Sequence, residues 1–486
     1  QNFGKKVIKF SDRKIIKEII YNKKYSFKKY SYGTSLFKKA FHNSNFKNVN
    51  FNGVSINSKS VKKDNLFFAI KGKNVDGHKF VKEAFKRGAI KSVISKNLNK
   101  ISKNKIIKVS NTLFSLNNLA KISRENTSAQ IIGITGSVGK TTLKNLTSFS
   151  LKNYGKVYFS PSSYNNKFGV PLSLSNLKNN TKYGVFEIGM DRKGEINYLS
   201  KMVKPEIGVI TNIAGAHFKN FKTLKDIAKA KSEIIDNISD GGSIVLNRDD
   251  KFFDFLSNKA KTRGIDITSF GIKRKADIFL KNIKKTRNCY SLKIIVKRKI
   301  FYFKTVNITD NFIKNILACI SILSILNLDL NTIKNKFTKF ILPSGRGDIR
   351  TVKKFNKIFK FMDESYNANP LSMLSAIKNV NSYKVKNDSK KLVFLGDMLE
   401  LGKKSKKFHK ELSYIINKSD IDKVFVYGKD IKLTFKFLSR NKKGKVFNKL
   451  SEAYNHFSKN INNNDLLMVK GSNATRLNQF SKNIKR

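Results

Sequence analysis

The sequence predicts an α/β protein of three domains, with a doubly wound central sheet between a smaller α/β domain and a second doubly wound one. Three observations predict it. Runs of β-branched and apolar residues alternate with helical patterns, as parallel strands joined by crossover helices require. At 486 residues, with 40% hydrophobic content, the chain is long enough for several cores. From Ile131 onward, a buried-strand pattern, a glycine loop and a helix start follow one another, the order a phosphate-binding turn needs. The divisions fall at 1–128, 129–340 and 341–486.

In the first domain, residues 1–45 are rich in lysine and aromatics and receive no role. From Val54 the pattern sharpens into two short strands, Val54–Lys59 and Asn65–Gly72, then the turn Val75-Asp76-Gly77-His78. A helix over Phe80–Arg87 stops at Gly88, a suitable C′ glycine. Lys91–Ile94 and Ile106–Val109 read as further strands.

The central domain is organised around Ile131-Ile132-Gly133-Ile134-Thr135-Gly136-Ser137-Val138-Gly139-Lys140-Thr141-Thr142. Gly136 and Gly139 let the backbone approach an anion, while exposed N–H groups and the dipole of the following helix attract it. Lys140 is placed to reach the β- and γ-phosphates of ATP, and the Thr141 hydroxyl to bind Mg²⁺. The longer form of this loop has another glycine where Ile134 stands, so this is the short version. Later strands are expected at Gly184–Ile188, Ile207–Thr211 and Ser243–Leu246. Their C-terminal ends carry Glu187, then Asn212 through His217, then Asn247-Arg248-Asp249-Asp250. Ligands sit at such ends in open α/β sheets, and these three are expected to share one site.

The last domain begins after Leu342-Pro343-Ser344-Gly345-Arg346-Gly347. Strands are expected at Phe361, Leu392, Val424 and Leu466, each leading into a polar loop.

Composition narrows the setting. Cys289 and Cys319 are far apart with no ligand spacing, which fits a reducing compartment. No apolar run is long enough to span a bilayer and the start does not read as a signal peptide, so a cytoplasmic location is expected. The formal net charge is +66, yet the lysines are scattered and accompanied by abundant Asn and Ile. That pattern matches AT-rich codon usage. It lacks the basic stripe or aromatic platform of a nucleic-acid binder, and no nucleic-acid partner is expected.

Several motifs together resemble the Mur ligases over about Ser55 to Arg476. They are the Gly-Ser-x-Gly-Lys-Thr-Thr loop, Asn165-Asn166-Lys167-Phe168-Gly169-Val170-Pro171-Leu172, Asp363-Glu364-Ser365-Tyr366-Asn367-Ala368-Asn369-Pro370, Leu395 through Gly402, and Val469-Lys470-Gly471-Ser472. The last three stretches are similar to those of family members that add D-alanyl-D-alanine to UDP-N-acetylmuramoyl-tripeptide. The resemblance implies a P-loop central domain, a Rossmann-like C-terminal domain, and ATP- and Mg²⁺-dependent amide formation through an acyl phosphate. A monomer is expected. Folate-type amide ligases share the glycine loop but lack a separate nucleotide-sugar domain. A basic P-loop ATPase driven by nucleic acid leaves the Asn-Ala-Asn-Pro loop without a purpose.

By resemblance, Gly136, Ser137, Val138, Gly139, Lys140, Thr141 and Thr142 hold the ATP phosphates, and Glu187 joins Thr141 on Mg²⁺. His217 matches a histidine near a second metal, and Lys231 a lysine that relatives carry carbamylated as a metal ligand. Asn311 and Asn315 resemble adenine-contacting residues, although Asp310 stands where the family has histidine. Arg346 and Asp363 would reach ATP from the last domain. Ser58, Lys59, Lys71, Asp76 and His78 belong with the uridine-nucleotide side; Asn57-Ser58-Lys59 replaces the family's Asp-Ser-Arg, and lysine lacks arginine's fork. Asn165, Asn166, Asn367, Asn369 and Ser472 are the remaining substrate-side candidates, the last three toward the dipeptide.

Overall fold

The computed structural model describes residues 50–99 and 101–485; the basic segment 1–45 lies outside them. The chain divides into two compact units, one ending at Ser115 and the other running from Leu116.

The first unit holds a four-stranded parallel sheet in the order β1 (Gly53–Ser55), β2 (Asn65–Phe68), β3 (Ala89–Ile94), β4 (Ile106–Lys108). The helix Val81–Lys86 buries Val81 and Ala84 against Phe67, Ala69 and Ile94. It is shorter than its sequence pattern because Gly77–Phe80 forms a 3₁₀ turn first. Gly88, at φ +98°, ends the helical segment as expected.

The second unit carries two sheets. The strands of the larger are β5 (Gln130–Thr135), β6 (Val157–Phe159), β7 (Tyr183–Glu187), β8 (Ile207–Ile210), β9 (Ser243–Asn247), β10 (Asp266–Gly271), β11 (Ile278–Lys285), β12 (Tyr290–Val296) and β13 (Lys299–Thr305). They lie in the order β13-β12-β11-β10-β9-β8-β5-β7-β6, parallel from β6 to β11 and antiparallel across β11–β12–β13. This hairpin extension is absent from the sequence expectation. Its strands mix buried residues such as Leu292, Ile294 and Phe303 with exposed ones such as Lys284, Tyr302 and Lys304, whereas central parallel strands such as β7 and β8 are buried throughout. The helices Lys140–Leu151 and Asp310–Ile325 pack together on one face of the parallel strands; Cys319 and Ile316 are wholly buried there.

The third sheet is formed by β14 (Asp348–Lys354), β15 (Lys357–Glu364), β16 (Lys391–Gly396), β17 (Lys423–Tyr427), β18 (Lys443–Phe447) and β19 (Leu466–Lys470). Its order is β14-β15-β19-β16-β17-β18, with only β14 antiparallel. A cluster of phenylalanines, Phe394, Phe447, Phe457 and Phe480, fills one of its faces. Among the described residues no helix is long and apolar enough to cross a membrane.

Candidate active site

The site starts from the order of the central strands. β5 lies between β7 and β8, so the loop after Thr135 opens where neighbouring connections leave in different directions, the usual ligand crevice of such sheets. Ile134 is the register partner of Glu187, which places that carboxylate directly beside the glycine loop. The loop itself demands glycine. Gly136 sits at φ +141°, and a Cβ there would come within 1.9 Å of Thr211 Oγ1. Gly139, at φ +91°, precedes the helix Lys140–Leu151, and its Cβ position faces Asn315 Oδ1 at 3.0 Å.

Asn212 and Thr211, at the end of β8, hold the loop in shape. The Asn212 carboxamide accepts from Val138 N–H at 3.0 Å, and the Thr211 hydroxyl donates to the Val138 carbonyl at 2.6 Å. Ser137 donates to the Ala214 carbonyl at 2.9 Å. Lys140 folds back to donate to the Gly136 carbonyl at 2.6 Å, an internal partner that a phosphate would replace. Burial pushes its pKa below the usual lysine value, opposed by the nearby Glu187.

Thr141 Oγ1 is the meeting point. It donates to Glu187 Oε2 at 2.6 Å and accepts from the Arg346 guanidinium at 2.8 Å, while Ser163 Oγ lies 3.2 Å away. Asn165 donates to the other oxygen of Glu187 at 2.7 Å. Arg346, stacked 4.0 Å over the Tyr366 ring, therefore brings the segment leading into the third sheet onto the phosphate loop. Two hard oxygens at a strand end, with a buried carboxylate, fit Mg²⁺.

Lys231, in the last turn of the helix Leu224–Ser232, is 2% exposed. Burial, reinforced by Lys140, drives its pKa well below the ordinary value. It is not one of the solvated lysines of a helix face. That shift favours the deprotonated amine, the form of a lysine that reacts with carbon dioxide to give a carbamate.

His217 takes a left-handed backbone conformation, φ +58°, and its Nδ1 lies 2.8 Å from Glu400 Oε2 and 3.7 Å from Asp191 Oδ1. These three side chains offer ligand atoms within 4.8 Å of one another. The third strand end behaves differently from expectation. Asp250 accepts from Ile213 N–H, and Asp249 accepts from the backbone of Ile272, Lys273 and Arg274. The Asn247–Asp250 cluster thus braces loops and presents no carboxylate to a shared centre.

Other expected residues are engaged in framework. Asn166 accepts from Phe168 and Gly169 N–H ahead of the helix Gly169–Ser175. Asp363 is buried, bound by Lys485 at 2.5 Å and by Ser365 at 2.6 Å. Asn369 caps the helix Pro370–Ser382 in a reciprocal arrangement with Ser372. Ser472 accepts from Leu399 N–H and donates to the Ala368 carbonyl. Asn367 is exposed, and its carbonyl accepts from Lys470. Asn315 is buried beside the loop and Asn311 half-buried, one turn earlier.

In the first unit, Asp76 accepts from His78 Nδ1 at 2.6 Å and from Lys96 at 2.8 Å. The Lys96 and His78 contacts hold its carboxyl well below the usual range. His78 Nε2 accepts from Ser95 N–H, which fixes its tautomer. Ser58 donates to Glu83 at 2.8 Å, whereas the Lys59 and Lys71 side chains reach solvent. A separate cavity of about 610 Å³ opens at the ends of β16–β19, lined by Tyr427, Lys429, Lys432 and Arg476 among others.

Sequence reading missed Ser163 and Lys144, beside the phosphate loop, and Glu400, beside His217. Ser163 sits two residues before the recognised Asn165, and Glu400 lies inside the Leu395–Gly402 motif, so position was the only available signal.

A phosphate loop with a buried carboxylate on its threonine, and an arginine reaching it from the segment before the third sheet, are the parts of a nucleotide-dependent phosphoryl-transfer enzyme. Family comparison is more specific. Residues 50–126 match the Mur ligase family catalytic domain, 134–323 the Mur ligase middle domain, and 350–473 the Mur ligase glutamate ligase domain. The chain belongs to the Mur ligase family. It is 32% identical over 421 residues to the UDP-N-acetylmuramoyl-tripeptide–D-alanyl-D-alanine ligase of Rickettsia prowazekii, covering 86% of this chain and 92% of that one. The enzyme of the same name from Buchnera aphidicola (subspecies Baizongia pistaciae) is 34% identical, over 85% and 87% of the two chains. Among solved structures, MurF from Thermotoga maritima in complex with ADP superimposes with a TM-score of 0.74 at 26% identity, covering 90% and 98%. MurF from Acinetobacter baumannii gives 0.81 at 23% identity, covering 94% and 99%, a likeness of fold.

Proposed function

We propose that the chain joins D-alanyl-D-alanine to UDP-N-acetylmuramoyl-tripeptide with ATP, in the stage of peptidoglycan synthesis that builds soluble precursors. It is an ATP-dependent amide ligase. The observation that carries the mechanism is the convergence of Thr141, Glu187 and Arg346 beside Lys140. The γ-phosphoryl group passes from ATP to the tripeptide carboxylate, giving an acyl phosphate. The dipeptide amine then attacks the acyl carbon and phosphate leaves.

Each residue has a task in that sequence. The amides of Gly136–Thr142 receive the phosphates, and Lys140 exchanges the Gly136 carbonyl for phosphoryl oxygens. Arg346 adds a cation as negative charge builds, and its arrival with the last domain excludes water from the acyl phosphate. Thr141 and Glu187 would hold Mg²⁺, and His217 with a carbamylated Lys231 would hold a second ion; such ions would supply positive charge to offset that of the phosphates. Asn311 and Asn315 face the base. In the assignment of domains, 1–128 takes the UDP-sugar through Ser58, Lys59, Lys71, Asp76 and His78, 129–340 takes ATP, and 341–486 takes the dipeptide. A cytoplasmic monomer is the form in which we expect it to act.

The test is phosphate release from ATP, measured with each substrate omitted in turn. Release that requires both UDP-N-acetylmuramoyl-tripeptide and D-alanyl-D-alanine is expected. Release indifferent to either, or stimulated by nucleic acid, would overturn the assignment.

A further inference from the structure

We propose that Ser163 is a further catalytic residue, a hydroxyl that contacts the phosphoryl group in transfer, and that buried Lys144 is the positioning residue that presents it. The proposal rests on the ligase reading above. Ser163 Oγ lies 3.2 Å from Thr141 Oγ1 and 3.4 Å from Arg346 Nη2. Arg346 offers only donors, and Thr141 is engaged by Glu187. Ser163 Oγ accepts from the Arg346 guanidinium, and with the Thr141 proton spent on Glu187 the serine proton faces Thr141 Oγ1, the donor that can turn to an entering group. The group that satisfies both guanidinium and hydroxyl is an anionic oxygen. The phosphoryl leaving ATP supplies one.

Around Ser163 the segment has only short local turns of its own, Tyr164 N–H to the Pro161 carbonyl and Asn165 N–H to the Ser163 carbonyl, and Ser160 N–H donates to the Val185 carbonyl. Ser163 follows β6 in an irregular segment, and Ser162 sits at φ +46°, a strained backbone for a residue with a side chain. Lys144 supplies a further restraint. It lies one turn beyond Lys140 on the helix Lys140–Leu151, is wholly buried, and donates to the Ser160 carbonyl at 2.6 Å and to the Ser162 carbonyl. Its ammonium also lies 5.8 Å from the centre of the Phe159 ring. The same segment is tied to the metal-binding strand end, because Glu187 N–H donates to Ser160 Oγ and Gly189 N–H to the Asn165 carbonyl. A buried ammonium spent on two adjacent carbonyls fixes the loop that carries both Ser163 and Asn165. The helix that positions Lys140 and Thr141 therefore also positions the opposite wall of the site.

The experiment compares Ser163→Ala, Ser163→Thr, Lys144→Met and the Ser163→Ala/Lys144→Met double variant in full-length protein. Steady-state phosphate release gives kcat and the KM for ATP, and calorimetry gives the affinity for ADP. Ser163→Ala is expected to lower kcat about tenfold, one hydrogen bond to the migrating group, with little change in KM. Ser163→Thr should restore it. Lys144→Met should show a loss of similar size, and the double variant no more than the larger single loss, because both act through one contact. ADP lacks the terminal phosphoryl and should bind every variant as it binds the wild type. An unchanged kcat in Ser163→Ala, or losses that multiply in the double variant, would overturn the proposal. Should Lys144→Met fail to fold, the Ser163 pair decides. The wild type's need for both substrates tests the ligase reading separately.

Discussion

The phosphate loop of the central sheet and the Asp363–Pro370 loop of the last sheet both carry polar residues at strand ends, yet they use their polar groups in opposite ways. Around Thr141, side chains converge from Glu187, Ser163 and Arg346 on a point that a ligand can enter. Around Glu364 they converge on one another. Lys470, the register partner of Glu364 on β19, is 1% exposed; it donates to the Asn367 carbonyl at 2.9 Å and lies 3.4 Å from Glu364 Oε2. Asp363 is bound by Lys485 in the same way. The first loop is shaped by glycine, by Ser137 and by the side chains of Thr211 and Asn212 beyond it, leaving Lys140 and Thr141 for chemistry. The second is shaped by its side chains, leaving mainly backbone and the exposed Asn367 for a ligand.

Breaking the second loop should therefore cost stability before it costs chemistry. Burial lowers the Lys470 pKa and raises that of Glu364, each opposed by the other's charge. Lys470→Met would strand Glu364 without its partner, and removing one member of a buried pair costs about 3–5 kcal/mol. Chemical denaturation should show a loss of that order. A midpoint within error of wild type would mean that the pair contributes nothing.

The matching change in the first loop should do the reverse. Lys140→Ala removes a cation that burial already disfavours, so the fold should be unchanged or slightly more stable. Phosphate release should fall by about 10²–10³-fold, the scale for losing one preorganised charge-stabilising donor. Thermal unfolding alongside the rate assay separates the two variants: one loses stability, the other turnover.

The two loops were not equally legible in the sequence. The strand–glycine–helix unit at Ile131–Leu151 could be read because steric need leaves a signature: only glycine tolerates φ +91° at Gly139 and the contact at Gly136. Glu187 followed from a rule of parallel sheets, since strand ends gather on one side. The framework role of the Asp363–Pro370 loop could not be read, because Lys470 becomes its partner only through the pairing of β15 with β19, more than a hundred residues apart. Lys144 was hidden by composition, and only the family resemblance singled out Lys231: with 99 Lys and Arg residues, sequence does not distinguish a buried lysine from a solvated one. The β11–β13 hairpin was not among the expected strands; its lysine-interrupted runs give a weaker signal than the wholly apolar runs of the buried parallel strands. Asp249 and Asp250 misled for the opposite reason: carboxylates at a strand end serve turns as readily as metals.

Buried lysines also give the central domain a pH signature. Burial holds Lys144 down to about 8, against 10.5 when unfolded, with Glu187 opposing the shift. Below pH 8 the group is charged in both states. Between 8 and 10.5 the unfolded chain binds the extra proton, so this group's contribution to stability rises with pH. Urea midpoints across that window should climb less in Lys144→Met than in wild type; identical slopes would mean that Lys144 keeps its ordinary value.

The smallest effect sharpens the comparison most, because it asks whether a side chain in the second loop serves the ligand at all. Asn369 is the N-cap of the helix Pro370–Ser382; its carboxamide oxygen accepts from Ser372 N–H at 2.9 Å, and Ser372 returns a bond to the Asn369 N–H. Asn369→Ala should cost about 1 kcal/mol, the usual value of such a cap. Asn369→Ser keeps a capping oxygen while deleting the carboxamide, so it should recover most of the stability. If Asn369 serves only the framework, the KM for D-alanyl-D-alanine in Asn369→Ser will equal that of wild type. A KM that rises while stability is retained would mean that the carboxamide touches the dipeptide, and that the second loop, like the first, keeps a side chain for its ligand.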